Sequence, residues 1–218
     1  MKNPPELKEL FYSKVYQQGE VPADVLEECV RFRTQIYIEE GYLPEPEQSA
    51  GPDCYDAQSA HICVHAKKSG KLAGYCRMIY DEPYPLPIVQ LYPGLKDCIG
   101  AKVEISRFSL QNHWRGSLRA VDMTPIFRLA RELLILSHQQ NLQQWSCLID
   151  ERFQKLCQRF FKMDFHILGE PQMYLGSPSV PCIIDLSESI RNNLHNPDYS
   201  AFWETRDMQA WIAEIGVR

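Results

Sequence analysis

The sequence predicts an α/β protein: a mixed central sheet with helices on its faces and one parallel strand pair. Three observations carry this. Apolar and polar residues alternate through VEISRFSL (103–110), the period of a strand. Two strand-like runs, SAHICVHA and KLAGYCRMIY, flank Lys67-Lys68-Ser69-Gly70, which is a hairpin signal. Strand, helix, strand and helix patterns then alternate from 103 to 161, and such a crossover makes neighbouring strands parallel.

Taken in order, residues 5–18 read as a short amphipathic helix with Leu7, Leu10, Phe11 and Val15 on one face, within an N-terminal helical segment 1–20. After Pro22, ADVLEECVRFRTQIYIEE repeats Val25, Cys29, Phe32, Ile36 and Tyr37 at helical spacing, and Gly41 stops it. The stretch 41–59 is rich in Pro, Gly and acids, hence a loop. The hairpin follows, then a proline-rich excursion over 81–100, then the strand 103–110. Thr124-Pro125 is a suitable start for the apolar helix IFRLARELLILSHQQ. QWSCLID reads as a strand, ERFQKLCQRFF as a helix with Phe153, Leu156, Cys157, Phe160 and Phe161 inward, and HILGEPQMYLG and PCIIDL as late strands. Residues 187–218 form a helical extension, and the whole of 1–218 reads as one domain.

Bulk properties narrow the function. The 218 residues are 44% hydrophobic and carry a net charge of −5, which argues against a general nucleic-acid binder. No run of about 18 apolar residues offers a membrane span. The first twenty residues hold two prolines and scattered charge where a signal peptide needs an apolar run, so a cytoplasmic protein is expected. Eight cysteines lie at least nine positions apart, so there is no C-x-x-C zinc pair. No metal is expected, and the cysteines read as reduced core residues.

Charge inside apolar runs marks the candidate chemistry. Glu104 and Arg107 interrupt the strand 103–110 and in a regular strand would face opposite ways. A bulge would re-aim one of them. They are either a structural ion pair or part of a site. Asp53 and Asp56 stand three apart in an acidic loop, as a solvated turn or as a patch holding an ammonium or an arginine. Arg77 sits between Cys76 and Met78; if it points inward an acid must meet it, Glu104 or an Asp of the loop, because an unpaired buried guanidinium is very costly. Arg33 is a second possible partner. From 102 to 131 there are six Lys or Arg against two acids, a local excess of +4 that suits a phosphate-bearing group or an acidic protein. Arg115-Gly116-Ser117 lie in a loop where backbone N–H groups could hold phosphate.

The ordered set R-x-x-x-Y (33–37), D-C-Y-D (53–56), S-x-H (59–61), G-Y-C-R (74–77) and E-I-S-R-F (104–108) resembles the N-acyl amino acid synthases and the PEP-CTERM/exosortase-associated acyltransferases. These are related to the acyl-homoserine lactone (autoinducer) synthases of the GNAT superfamily. The likeness covers roughly residues 25–190. It implies a GNAT-like fold in which the strand 103–110 splays from QWSCLID to admit an acyl-phosphopantetheine arm. It further implies an N-acyltransferase that takes a fatty acyl group from acyl-carrier protein, or from coenzyme A, to the amine of an amino acid or related metabolite, with no tightly bound cofactor. Arg33, Asp53, Asp56, Arg77, Glu104 and Arg107 would form a charged network at the acceptor, with Glu104 as base. Phe108, Ser109 and Leu110 would supply N–H groups to the thioester carbonyl at a bulge, and Arg115, Gly116 and Ser117 would be donor contacts. The usual phosphate loop lacks its second glycine here, which favours a carrier-protein donor. Gly41-Tyr42 replaces a tryptophan common in autoinducer synthases, which argues against lactone formation. The alternatives are such a synthase, or a silent GNAT-like module that binds acyl-carrier protein.

Overall fold

The computed structural model describes residues 10–43, 51–97, 99–112, 125–196, 203 and 206–214. Among the described residues eight strands form one sheet in the order β1 (Phe11–Tyr16), β2 (Ser59–Ala66), β3 (Leu72–Tyr80), β4 (Val103–Leu110), β5 (Gln144–Asp150), β8 (Ser177–Asp185), β6 (Asp164–Ile167), with β7 (Gln172–Tyr174) also beside β8. The chain falls into two compact units, Met1–Arg77 with Arg107–Leu134, and Met78–Ser106 with Ile135–Arg218. The longer elements include β3 (Leu72–Tyr80), β4 (Val103–Leu110) and α3 (Pro125–Gln139).

The first unit opens with a correction. Phe11–Tyr16, placed in a helix by the sequence reading, is strand β1, antiparallel to β2 (Ser59–Ala66) and registered from Phe11 opposite Ala66 to Tyr16 opposite His61. FYSKVY is four-sixths aromatic or β-branched, and β2 offers it a partner edge, so pairing overrides a one-turn amphipathic pattern. Residues 5–9 of that expected helix lie outside the described residues. Helix α1 (Ala23–Glu39) begins after Pro22 and ends where Gly41 turns left-handed at φ 74°. Its buried face is Cys29, Val30, Arg33, Ile36 and Tyr37, so a guanidinium is carried inward with the apolar stripe. Gly74 on β3 is needed for packing: a Cβ there would lie 3.1 Å from Leu129 Cδ1 and Pro125 Cβ and 3.2 Å from Leu110 Cδ2. Its absence lets α3 settle onto the strand.

In the second unit, β5 (Gln144–Asp150) pairs with β8 (Ser177–Asp185) in antiparallel fashion from Gln144 opposite Asp185 to Asp150 opposite Ser179. β4 meets β5 in parallel with a single registered pair, Glu104 with Ser146, and the Ser146 hydroxyl donates to the Val103 carbonyl at 2.8 Å. The proline-rich excursion holds a one-turn helix α2 (Pro87–Leu91) and a 3₁₀ turn at Pro93–Leu95. HILGEPQMYLG is two strands, β6 (Asp164–Ile167) and β7 (Gln172–Tyr174), each laid along β8; Pro171 cannot donate to a ladder. Asp150 caps α4 (Glu151–Phe161) by accepting from the N–H groups of Arg152 and Phe153 at 2.9 and 3.0 Å. On α4, Leu156 is 37% exposed rather than inward, and Gln154 is buried beside Cys157 instead. Helices α5 (Leu186–Leu194) and α6 (Arg206–Glu214) follow. Among the described residues no helix is long and apolar enough to cross a membrane.

Candidate active site

Five of the six charged residues singled out from the sequence converge within the first unit. α1 brings Arg33 inward, β3 brings Arg77, β4 brings Arg107, and the 51–58 loop brings Asp53 and Asp56. Arg33 grips Asp56 with both ends of its fork, Nη1 to Oδ1 at 2.8 Å and Nη2 to Oδ2 at 2.9 Å, and also donates from Nη2 to the Gly51 carbonyl at 2.6 Å. Arg77 does the same to Asp53, at 2.7 and 3.0 Å, while its Nη1 also reaches Asp56 Oδ1 at 2.5 Å. Arg107 Nη2 donates to Asp53 Oδ2 at 2.9 Å. The loop itself closes on the carboxylates: the Asp53 N–H donates to Asp56 Oδ2 at 3.0 Å and the Tyr55 N–H to Asp53 Oδ1 at 3.0 Å. Two aromatic rings flank the cations, Tyr55 at 5.7 Å from the Arg77 guanidinium and Tyr37 at 5.8 Å from that of Arg107.

The cluster is dry at one end and open at the other. Arg33 and Arg77 are fully buried and Asp56 nearly so, whereas the Asp53 side chain keeps 26% of its surface. Burial alone would push both carboxyls upward. For Asp56 the Arg33 hydrogen bond and the Arg77 and Arg33 charges outweigh burial; for Asp53 the hydrogen bonds from Arg77 and Arg107 and the Arg77 charge do so. Both therefore titrate below the usual carboxylate range and are ionised at neutral pH. Three cations and two anions leave this cluster with a formal charge of +1 (3 − 2).

Within β4, where a bulge is expected from the sequence, Arg107 takes a left-handed backbone with φ 56°. The Ser109 hydroxyl donates back to the Arg107 carbonyl at 3.0 Å. The left-handed residue thus falls just ahead of Phe108, Ser109 and Leu110. Sequence carried a signal for it: the apolar residues sit at odd positions before Arg107 (Val103, Ile105) and at even positions after it (Phe108, Leu110).

Glu104 belongs to the second unit. It is 2% exposed, and its Oε2 accepts from the Ile88 N–H at 2.8 Å, which ties the start of α2 to β4. Arg115, Gly116 and Ser117 lie outside the described residues, as does Thr124. Cys29, Cys63, Cys76, Cys147, Cys157 and Cys182 are buried free thiols; Cys54 is exposed and so not a core residue, and Cys98 lies outside the described residues. Burial pushes the Cys76 thiol well up, so it does not ionise at neutral pH. Among the described residues no group of three or more His, Cys, Asp or Glu could hold a metal ion.

A family model described as N-acyl amino acid synthase FeeM matches residues 28–185. The chain belongs to that family. No curated protein matches. Among solved structures, the acyl-homoserine lactone synthase LasI superposes with a TM-score of 0.63 at 22% identity, over 81% of this chain and 90% of its own. The FeeM synthase from uncultured soil microbes gives 0.59 at 14% identity, over 84% and 93%. An acyl-CoA N-acyltransferase from Pseudomonas aeruginosa gives 0.56 at 15%, over 79% and 98%. At these identities the structural likeness concerns the fold, which is the GNAT-like one expected from the motifs. Membership of the FeeM family makes the protein an acyltransferase enzyme that acts on nitrogen.

The motifs S-x-H and G-Y-C-R contain two residues to which the sequence reading gave no role. His61 and Tyr75 stand behind Asp56, with His61 Nδ1 2.9 Å from the Tyr75 hydroxyl and Nε2 2.9 Å from the Asp56 carbonyl. The signal was present: Ser59 and His61 are two apart at the start of β2, hence on one face, immediately after the acidic loop.

Proposed function

We propose that this FeeM-family enzyme moves a fatty acyl group from the phosphopantetheine thioester of an acyl-carrier protein to the amine of an amino acid or related metabolite. The closed Arg33–Asp56–Arg77–Asp53–Arg107 network carries the reading. Five buried or half-buried charges in one cluster hold their positions without solvent, which is what orienting a small charged acceptor requires. Asp53, the most exposed of them, is the group that meets the acceptor.

The acceptor amine arrives protonated. Glu104, directly or through a water, takes that proton. The nitrogen lone pair then attacks the thioester carbon, an N–C bond forms and the oxyanion collapses with loss of the C–S bond. The sulfur leaves as thiolate and is reprotonated, so the net products are an amide, a free thiol and one proton. The arm runs along Phe108, Ser109 and Leu110, just past the left-handed Arg107, whose backbone turn re-aims this end of β4 toward the carbonyl oxygen. No covalent enzyme intermediate is required.

A carrier-protein donor finds support on α4. Arg152, Lys155 and Arg159, with Lys162 just past its end, are all exposed at spacings of three, four and three, which is one side of a helix. Leu156 is exposed among them. A basic stripe with an apolar centre suits the acidic surface helix of a carrier protein. A cytoplasmic setting is part of this proposal, and buried cysteines such as Cys29 and Cys63, which pack as small apolar side chains, suit it.

The test is a product assay by mass spectrometry with long-chain acyl-carrier protein and a panel of amino acids. Acyl amides are expected, and Glu104→Gln should lower their rate by about 10²-fold or more. The Gln carbonyl can still accept from Ile88, so the fold is kept. A panel with no acylated acceptor overturns the reading; release of acyl-homoserine lactone from S-adenosylmethionine would replace it with the autoinducer synthase. An unchanged Glu104→Gln rate removes the base.

A further inference from the structure

We infer that His61 is a positioning residue for the acceptor site: as the neutral Nε2–H tautomer, backed by Tyr75, it holds the Asp56 carbonyl and so fixes the Asp56 carboxylate between Arg33 and Arg77. This deepens the proposed acyl transfer to an amine and rests on it for its kinetic consequence only.

The argument begins with donors and acceptors. His61 is 0% exposed, and each ring nitrogen has one partner at 2.9 Å. The Asp56 carbonyl can only accept, so Nε2 must carry a proton. The Tyr75 hydroxyl can then donate to a bare Nδ1, which satisfies both groups with a neutral ring. A second proton on the ring would place a cation in a dry interior close to Arg33 and Arg77, two cations already there. Burial drives His61 below its ordinary value, in agreement with that geometry. Tyr75 is itself 0% exposed and is held un-ionised by burial, so it remains a donor.

The chain Tyr75 O–H to His61 Nδ1, His61 Nε2–H to Asp56 O, thus ends on the backbone of the residue whose side chain takes both Arg33 and Arg77. Ser59, on the same face of β2, pins the neighbouring carbonyl: its hydroxyl donates to the Tyr55 oxygen at 2.6 Å. Two side chains of one strand therefore clamp two successive carbonyls of the acidic loop. Arg33 from the other side reaches the Gly51 carbonyl as well. A loop held at its carboxylates alone could slide along the arginine forks; held also at Tyr55 and Asp56 carbonyls, it presents Asp53 at one position. The role is indirect, since His61 touches no substrate.

Amide substitutions separate the two ring nitrogens. A Gln amide nitrogen falls near the imidazole Nε2 and can donate to the Asp56 carbonyl; an Asn side chain reaches only as far as Nδ1 and cannot. The experiment measures acceptor KM and kcat for His61→Gln, His61→Asn and Tyr75→Phe, with urea midpoints for each, and records the ¹⁵N chemical shifts of His61 in the acceptor-free enzyme at pH 7. The expected result is an Nε2-protonated neutral ring, an acceptor KM raised about tenfold in His61→Asn with kcat within about threefold, as for one lost neutral hydrogen bond, and recovery toward the wild-type KM in His61→Gln. Tyr75→Phe should leave Nε2 protonated, with only the Nδ1 shift moving toward that of a nitrogen without a donor. A ring protonated at Nδ1 overturns the inference whatever the enzyme's substrate proves to be. So does a His61→Asn variant that folds with unchanged KM, or a His61→Gln variant no better than His61→Asn. If wild-type enzyme acylates no amine, the ¹⁵N spectra still decide the tautomer and the proposed function alone fails.

Discussion

Asp56→Asn removes one charge and changes almost no volume, so its effect isolates what the carboxylate does. Four donors converge on that carboxylate: Arg33 Nη1 at 2.8 Å and Arg77 Nη1 at 2.5 Å on Oδ1, Arg33 Nη2 at 2.9 Å and the Asp53 N–H at 3.0 Å on Oδ2. An Asn carbonyl placed at Oδ1 keeps the first two. Its amide nitrogen then stands at the Oδ2 position as a donor facing two donors. The loss is therefore two charge-assisted bonds at roughly 1.5–3 kcal/mol each. That brackets the cost of about 3–5 kcal/mol for removing one partner of a buried ion pair. Asp56 is 3% exposed and both arginines are fully buried, so solvent screening does not reduce the figure. At about 2–4 °C per kcal/mol for a chain of this size, the melting temperature should fall by roughly 6–20 °C.

The sign of the pH dependence follows. Burial pushes the Asp56 carboxyl up, but the Arg33 hydrogen bond and the Arg77 and Arg33 charges depress it below the value of the unfolded chain. A depressed carboxylate stabilises the fold above its unfolded value, near 4, and loses that contribution as pH falls toward its folded value. The difference in urea midpoint between wild type and Asp56→Asn should stay constant from about pH 5 to 8 and shrink below about pH 4. A difference under about 1 kcal/mol at pH 7, or one that persists undiminished at pH 3, would refute the ionic account of the cluster.

Three further outcomes are expected. Gly74→Ala puts a methyl 3.1 Å from Leu129 and Pro125 and should destabilise by roughly 1–3 kcal/mol in thermal or urea melts, the range for overpacking; an unchanged melt would mean that α3 yields freely. Reversing charge with Lys155→Glu and Arg159→Glu should raise KM for acyl-carrier protein at least tenfold, while leaving turnover of a small acyl-pantetheine unchanged, because α4 would meet the protein and not the arm; equal effects on both donors would refute the dock. Cys54 should react with a thiol reagent in the native enzyme at a rate set by solvent access, whereas Cys29, Cys63, Cys76 and Cys182 should wait for unfolding; rapid labelling of any of these four would contradict their burial.

Much of the site was legible because charge inside an apolar run must be answered. Arg77 between Cys76 and Met78 demanded an acid, and the Asp53–Asp56 spacing offered two. What sequence could not supply was long-range. The partner of Glu104 is the Ile88 N–H, and that depends on how the proline-rich excursion folds back to β4. Tyr12, Val15 and Tyr16 fit a short helix or a strand equally well until β2 supplies an edge. Leu156 obeys the helical period yet is exposed, because the period reports a face and not what covers it.

The cluster is a costly way to hold a fold together. Withdrawing five charges from water costs several kcal/mol per ion, and well-packed apolar residues of similar volume stabilise an interior as well or better. Stability alone therefore does not account for Arg33, Arg77 and Asp56 in the interior. Geometry does. Each arginine fork is planar and two-pronged, so its bidentate grip fixes the angle as well as the distance of a carboxylate. Arg77 Nη1 donates to both acids, so one guanidinium nitrogen sets the spacing of the two carboxylates. Asp53 is the member with the most solvent access, and its partner Arg107 adopts a left-handed backbone within β4. A strained residue and a half-buried, ionised carboxylate stand together there. Backbone strain beside a partly exposed ionised group is a feature that functional sites share, and the proposed acceptor role of Asp53 rests on it.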